Sequence, residues 1–565
     1  MQLPGLEIER AVGAPMRDGC RLLADIYRPE EQDRALPVLV LRTPYGRRFG
    51  TQANLAHPAW YARQGFIVVV QDMRGRHDSE GTFEPFVNEA ADGHDTIEWA
   101  AGLEGSNRRV GTYGASYAGY AQLLAAATRP PSLRAICPAI SPFDLRGGML
   151  FTDGVFEIAF AAWWTAGLAL ETARRTGNAG LDRELRRLLA DPHAWYGTAA
   201  PVHLLPFAPE TSFYRSWLEH RFDDTRWNAV SARVQSGLID VPALHVTGWW
   251  DAFVDGALDA YTTLRDRVGA AEQELLVGPW SHAPWGARIG DHDFGEGADR
   301  KVVDEAQVVF LRRHLATGAL AVARQATVRY FVLGENAWRD AKDWPPTPTR
   351  AHAWRLESGG DAASVGGTGR LVAGGSWDAV RAGAADLFAY DAADPVPSLG
   401  GRSCCFPEVS PIGPHDQGLI EQRHDVLVYT SEALEDDLVV AGPVSVRLWM
   451  ASDAPTADIV ARLCVVEGRG SSNLVEGVSR IGVGGWPTSG FRRVDVELGS
   501  TAVRIAAGSR LRLHVTAGSF PRFEINPQAD IPAEEAMPWD RRAASFALAH
   551  DASHVSDLRL QALAS

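Results

Sequence analysis

Through the first 280 residues, short apolar runs of strand length alternate with longer segments of helical composition. The runs are Pro37 to Leu41, Phe66 to Val70, Arg109 to Tyr113, Arg134 to Cys137, Ala243 to Thr247 and Glu274 to Val277. Most are rich in β-branched residues and bounded by Gly, Pro or Asp, and helix-like stretches such as Tyr117 to Ala127 lie between several of them. Strands that are apolar throughout, instead of alternating, are covered on both faces. The pattern therefore predicts a mostly parallel sheet with helices on either side, an α/β domain.

The alternation lapses between about Asp144 and Ile239, where Ala, Leu, Trp and Arg dominate in Val155 to Thr172 and Leu181 to Leu189. That composition favours helix. Because strand-like runs resume at Ala243, the segment reads as a helical cap inserted over one edge of the sheet. An amphipathic segment, Val303 to Leu315, and a strand-like run, Val328 to Leu333, follow, and then Asp343-Trp344-Pro345-Pro346-Thr347-Pro348. Three prolines in four positions continue neither a helix nor a central strand, so a domain junction falls there. Beyond it, short alternating runs (Val426 to Tyr429, Val444 to Met450, Arg493 to Leu498, Ser509 to Val515) are separated by turn residues. These predict a β-sandwich. The expected division is an α/β domain over residues 1–144 and 241–350, a helical insertion over 145–240 and a β-sandwich over 351–565.

Composition agrees with more than one core, since 565 residues exceed the roughly 100–200 typical of a single domain. No run of eighteen apolar residues occurs, and the opening Met1-Gln2-Leu3-Pro4-Gly5-Leu6-Glu7 lacks the basic-then-apolar order of a secretory signal. A cytoplasmic, membrane-free protein is the expectation. A net charge of −15 with no basic patch disfavours nucleic acid as a partner. Five cysteines, Cys20, Cys137, Cys404, Cys405 and Cys464, are scattered without metal-ligand spacing, and their odd number argues against a disulfide framework; they read as packing residues. With no His-Glu-x-x-His, no clustered Cys and His, and no dinucleotide fingerprint, neither metal nor organic cofactor is expected.

The chemistry centres on Val110-Gly111-Thr112-Tyr113-Gly114-Ala115-Ser116-Tyr117-Ala118-Gly119-Tyr120, a strand that runs through glycine and serine into a helix. A serine at such a turn stands above the sheet, and small neighbours keep the tight backbone from clashing: this is a nucleophile elbow. The usual Gly-x-Ser-x-Gly pattern is altered, because Ala118 holds the last position and glycine follows at Gly119. Alone, the motif is also compatible with an ordinary turn or helix cap. The order of the downstream residues argues otherwise. The strand Ala243 to Thr247 leads into Gly248-Trp249-Trp250-Asp251, and the strand Glu274 to Val277 into Gly278-Pro279-Trp280-Ser281-His282. Nucleophile, acid and histidine thus arrive in α/β-hydrolase order, each beyond a strand's carboxyl end, with Asp255 as a weaker alternative acid.

These segments resemble the group of α/β-hydrolases formed by cocaine esterases and X-Pro dipeptidyl-peptidases, which includes the α-amino acid ester hydrolases. The resemblance extends to Arg42-Thr43-Pro44-Tyr45, to Asp72-Met73-Arg74-Gly75 with Ser79 and Gly81, and to Ser519-Phe520-Pro521-Arg522-Phe523 with Asn526-Pro527. It implies a hydrolase domain with a helical cap and a C-terminal jelly-roll. It also implies an oxyanion hole built from the Tyr45 hydroxyl and the backbone amide of Tyr117. Ser116 is then the acylated nucleophile, His282 the general base and Asp251 the residue that orients it. Asp72, Arg74 and Ser79 read as structural, locking a loop by ion pairing and capping. Phe253 and Trp163, one beside the acid and one in the cap, are expected to line the substrate pocket.

The leading expectation is a carboxylic ester hydrolase acting on a small molecule through an acyl-enzyme, possible as a homo-oligomer. Amide or peptide hydrolysis, of the acylase or X-Pro dipeptidyl-peptidase kind, is the alternative. Sheet strands that begin within about forty residues disfavour the peptidase, whose relatives often carry an additional N-terminal helical domain. Asp153, Glu157 and Asp255 are imaginable as a carboxylate cluster for a substrate ammonium, and are otherwise solvated charges. A catalytically inactive binding protein would have no reason to retain nucleophile, acid, base and oxyanion tyrosine together.

Overall fold

A computed structural model describes residues 4–49, 54–268, 273–283, 285–316, 327–374 and 385–563. Ten strands form the first sheet: β1 (Leu6–Pro15), β2 (Arg21–Pro29), β3 (Leu36–Thr43), β4 (Ile67–Asp72), β5 (Ser106–Ala115), β6 (Leu133–Ala139), β7 (Ala243–Trp250), β8 (Gln273–Ser281), β9 (Val328–Val332) and β10 (Ala337–Ala341). Their spatial order is β1-β2-β4-β3-β5-β6-β7-β8-β9-β10. Neighbours from β4 to β9 pair in parallel, while β1, β2 and β10 join antiparallel. Every residue of β4, β7 and β8 is buried, which is why these read as continuous apolar runs. By contrast β1, Leu6-Glu7-Ile8-Glu9-Arg10, is an edge strand that mixes charges with apolar residues, and composition did not single it out.

Helices α1 (Pro58–Arg63), α2 (Glu89–Ala101) and α3 (Tyr117–Ala127) belong to this body, as do the later helices Val254–Val268 and Lys301–Leu315. Between β6 and β7 lies the predicted helical insertion, with α4 (Ile158–Thr176), α5 (Ala179–Ala190), α6 (Ser212–Glu219) and α7 (Asp224–Ala229). The expected start at Val155 needs correction: Val155–Phe156 pair with Phe151–Thr152 in a small hairpin, and α4 begins only at Ile158. It runs to Gly177, whose left-handed backbone ends it, and Asn178 caps α5 by accepting from the Leu181 amide at 3.2 Å.

Eleven strands, from Thr349–Glu357 to Asp557–Leu563, build the C-terminal β-sandwich. Buried ion pairs tie the insertion to the sandwich. Glu524 of the sandwich accepts from Arg221 of the insertion at 2.7 Å and from Arg480 at 2.6 Å, all inside the protein.

The loop after β3 is held from below by Arg47, which is 2 % exposed and pairs with Asp25 at 3.1 Å, with Asp72, and with Asp78 at 3.0 Å. The Ser79 hydroxyl donates to the Asp72 carbonyl at 2.8 Å and accepts from the Leu23 amide at 2.9 Å, while Arg74 pairs with Asp92 at 2.6 Å and Asp18 at 2.8 Å. This segment is a lock, as its charges and spacing predict. Removing one partner from a buried ion cluster strands the others in low dielectric. Arg47→Met is therefore expected to lower unfolding free energy by about 3–5 kcal/mol in urea titration. A loss below about 1 kcal/mol would show the cluster to be solvated.

Candidate active site

Ser116 sits between β5 and α3 at φ 59°, ψ −121°, a conformation rarely adopted by residues with a Cβ. Its amide donates to the Ala139 carbonyl at 2.9 Å, so β6 fixes the turn. The altered spacing of small residues has a steric reason. A Cβ at Gly114 would lie 2.8 Å from that of Ala118, and a Cβ at Gly119 would lie 2.8 Å from the Ala139 carbonyl oxygen. Alanine is tolerated at position 118 because Gly114 leaves it room, and glycine is required one residue later, where α3 crosses β6.

The two downstream loops deliver their residues to this serine. His282 Nε2 is 2.9 Å from Ser116 Oγ, and His282 Nδ1 is 2.7 Å from Asp251 Oδ1. Asp251 is fully buried and also accepts from the Thr247 hydroxyl at 3.0 Å. The Asn54 side-chain amide donates to the His282 carbonyl at 2.7 Å, steadying the loop. Asp255, the alternative acid, lies elsewhere: it pairs with Arg402 at 2.7 Å and is half exposed.

Tyr45 follows β3, and its hydroxyl accepts from Trp164 Nε1 of α4 at 3.0 Å. An indole N–H only donates, so the phenolic proton stays available to another acceptor. Tyr45 as a whole is 41 % accessible, yet protein packed around its hydroxyl end dehydrates it and pushes the phenol up to about 12, against the opposing effects of Trp164 and Arg76. It keeps its proton through the neutral range. Arg76 joins this loop to the cap, donating to the Pro44 carbonyl at 2.9 Å and the Leu168 carbonyl at 3.0 Å, and pairing with Glu171 at 2.9 Å. Tyr117 contributes differently. Its ring is buried, stacked on Phe86, and its hydroxyl donates to Glu89 at 2.8 Å, while its backbone N–H, first in α3, has no acceptor within the helix.

Ser116, His282 and Tyr45 open into a cavity of about 400 Å³, with apolar walls from Ile140, Trp163, Leu168 and Phe406. Trp163 thus lines the cavity, packed against Phe406. Phe253 stands edge-on to the His282 ring at 5.1 Å and faces a second, larger cavity of about 1050 Å³. Asp153, Glu157 and Asp255 line that second cavity and are engaged there: Asp153 accepts from Ser479 at 2.6 Å, Glu157 from Thr152 at 2.7 Å, and Asp255 pairs with Arg402.

Sequence reasoning missed Asn54 and Arg76, for which no local signal exists. It also misjudged two cysteines. Cys404 and Cys405 are joined by a disulfide, so although Cys404 packs in the core, Cys405 also lines the cavity beside Phe406; Cys137 and Cys464 are buried free thiols. The adjacency of Cys404 and Cys405 was the available signal. Scattered spacing also concealed a cluster, because His282 lies beside both sulfurs.

Parallel sheet, elbow and hydrogen-bonded Ser116–His282–Asp251 chain define an α/β-hydrolase, and the protein is a serine hydrolase. Residues 18–284 match the X-Pro dipeptidyl-peptidase (S15 family) model, and residues 321–537 the X-Pro dipeptidyl-peptidase C-terminal non-catalytic domain. The chain is 33 % identical over 541 residues to cocaine esterase of a Rhodococcus species, covering 91 % of each. It belongs to the cocaine esterase and X-Pro dipeptidyl-peptidase family. Similar solved folds include an aminopeptidase from a marine sediment archaeon (Thaumarchaeota), with TM-score 0.80, 22 % identity and coverage of 99 % and 97 %, and an α-amino acid ester hydrolase, with TM-score 0.78, 23 % identity and the same coverage. Among the described residues no helix is long and apolar enough to cross a membrane.

Proposed function

We propose that this chain hydrolyses carboxylic esters with an apolar acyl group, through an acyl-enzyme on Ser116. The observation that carries the reading is the hydrogen-bonded path Ser116–His282–Asp251 at 2.9 and 2.7 Å, opening into a cavity walled by Trp163, Leu168, Ile140 and Phe406. His282 Nε2 takes the serine proton as Oγ attacks, and Asp251 holds the tautomer and balances the imidazolium. The proton then passes to the leaving alcohol, and water repeats the sequence to release the acid. Tyr45 O–H and Tyr117 N–H are the donors to the developing oxyanion. Trp163 and Phe406 contact the acyl group, and Phe253 steadies the imidazole edge.

An ester is favoured over an α-amino acyl or N-terminal peptide substrate because the cavity offers an ammonium no free carboxylate. Among its described lining residues the one acid is Glu171, already paired with Arg76 and accepting from the His77 amide at 3.0 Å. The division into a hydrolase body (residues 1–144 and 241–350), a cap (145–240) and a β-domain (351–565) is part of the same proposal. So is the cap's role as carrier of Trp163 and Trp164.

The test is labelling with a fluorophosphonate probe, peptide mapping, and a panel of aryl and alkyl acyl esters beside aminoacyl amides. Labelling at Ser116 with turnover of aryl esters is the expected result; faster cleavage of aminoacyl amides would move the assignment to the acylase or peptidase side. Tyr45→Phe removes one oxyanion donor, and kcat is expected to fall by about 10²–10³ with KM little changed. A rise in KM at constant kcat would make Tyr45 a ground-state contact instead.

A further inference from the structure

The Cys404–Cys405 pair stands in the partition between the two cavities: Cys405 lines the one that holds Ser116, Cys404 the larger one behind it. The segment is anchored by Arg402, which donates to the Trp249 carbonyl at 3.1 Å, next to the Asp251 loop, and pairs with Asp255. A ring nitrogen of His282 and the two sulfurs all lie within 4.8 Å of one another. Two adjacent sulfurs and an imidazole, within reach of a cavity, make a donor set suited to a thiophilic cation.

We propose that, once the Cys404–Cys405 disulfide is reduced, the two thiolates and His282 Nε2 form an inhibitory site for a thiophilic divalent cation of the zinc class. Reduction breaks the S–S bond and leaves two thiols: an external dithiol supplies two electrons and two protons and becomes a disulfide, or a phosphine supplies the electrons and becomes its oxide while water supplies the oxygen and both protons. Metal binding then releases two protons to solvent and uses the Nε2 lone pair. Nδ1 is held by the buried Asp251, so Nε2 is the nitrogen that remains. Tetrahedral zinc, with bonds of about 2.3 Å to sulfur and about 2.0 Å to nitrogen, needs donors roughly 3.5–3.8 Å apart, so the freed sulfurs must part from bonding distance and close on the nitrogen by up to about 1 Å, movements that side-chain rotation supplies. The consequence is direct: the lone pair that would accept the Ser116 proton is occupied, and hydrolysis stops. Oxidation by an external disulfide or peroxide, which accepts the two electrons as the S–S bond re-forms, removes both thiolates, releases the cation and frees the base.

The inhibitory step rests on His282 acting as general base; metal uptake does not, and the experiment separates them. Reduced and oxidised full-length protein, a Cys404→Ser/Cys405→Ser double variant and Ser116→Ala are titrated with Co²⁺, followed by thiolate charge-transfer absorption and then by displacement with Zn²⁺. Ester turnover of each active preparation is measured with and without Zn²⁺, each serving as its own reference. The expected result is about one metal per chain for reduced wild type and reduced Ser116→Ala, at least tenfold weaker binding to the oxidised protein and the double variant, and at least tenfold inhibition by Zn²⁺ of the reduced wild type alone. Equal metal uptake by wild type and double variant would overturn the site, as would failure of two thiols to appear on reduction of the folded protein. Metal uptake without inhibition would overturn the inhibitory role, and if Ser116→Ala takes up metal but wild type shows no esterase activity, the functional proposal fails while the site stands.

Discussion

Ser116→Ala is expected to lower kcat for an acyl ester by about 10⁶-fold and to abolish fluorophosphonate labelling, while leaving the fold in place. The loss is large because the serine, the base and the acid act as one unit, so that removing the nucleophile leaves only binding and the oxyanion donors. The fold is spared for a local reason. Ser116 makes no side-chain capping bond to α3, and its φ of 59° strains alanine no more than serine, since both carry a Cβ. The substitution therefore removes one hydroxyl and its bond to His282. Circular dichroism and thermal melting should show a midpoint within a few degrees of wild type, so a loss of rate cannot be charged to unfolding. Retention of activity within tenfold of wild type would place the nucleophile elsewhere.

What was legible beforehand follows from which interactions are local. The elbow is a contiguous strand–turn–helix, and Asp251 and His282 each follow directly on a strand whose every residue is buried. Such strands announce themselves by unbroken hydrophobicity, and the residue after each is carried to the same edge of the sheet. That edge is the site. Polar edge strands such as β1 lack that signature.

The remainder of the site is assembled by contacts between distant positions. The Tyr45 hydroxyl meets Trp164 across 119 residues, and Asn54 reaches the His282 carbonyl across 228. Cys405 and Phe406 come from the β-sandwich domain, so the wall packed against Trp163 depends on how that domain docks, which no local pattern encodes. The departure at Ala118 was equally opaque, since its explanation needs the position of the Ala139 carbonyl under Gly119. The β-domain's place in the pocket wall, open from sequence alone, is settled by this docking, and Arg402 is its anchor.

That anchor separates two aspartates only four residues apart, and the pair supplies the second large expected effect. Asp251→Asn should lower kcat by about 10⁴-fold, whereas Asp255→Asn should change it less than tenfold and act mainly on KM. Asp251 Oδ1 receives the Nδ1 proton of His282 at 2.7 Å, and its second oxygen receives the Thr247 hydroxyl. With asparagine, the oxygen stays with the Thr247 donor and the amide nitrogen faces Nδ1. The ring proton is then forced to Nε2, which presents a donor to Ser116 where an acceptor is required. Asp255 touches neither ring nor serine; it braces Arg402 at 2.7 Å and accepts the Ser500 amide at 2.9 Å. Asparagine keeps the second bond and loses the charge pairing, so the Cys404–Phe406 wall loosens and binding of the acyl group weakens while the proton path is intact. Steady-state kinetics on one aryl ester for both variants distinguishes these roles, and a kcat loss greater for Asp255→Asn than for Asp251→Asn would reverse the assignment of the acid.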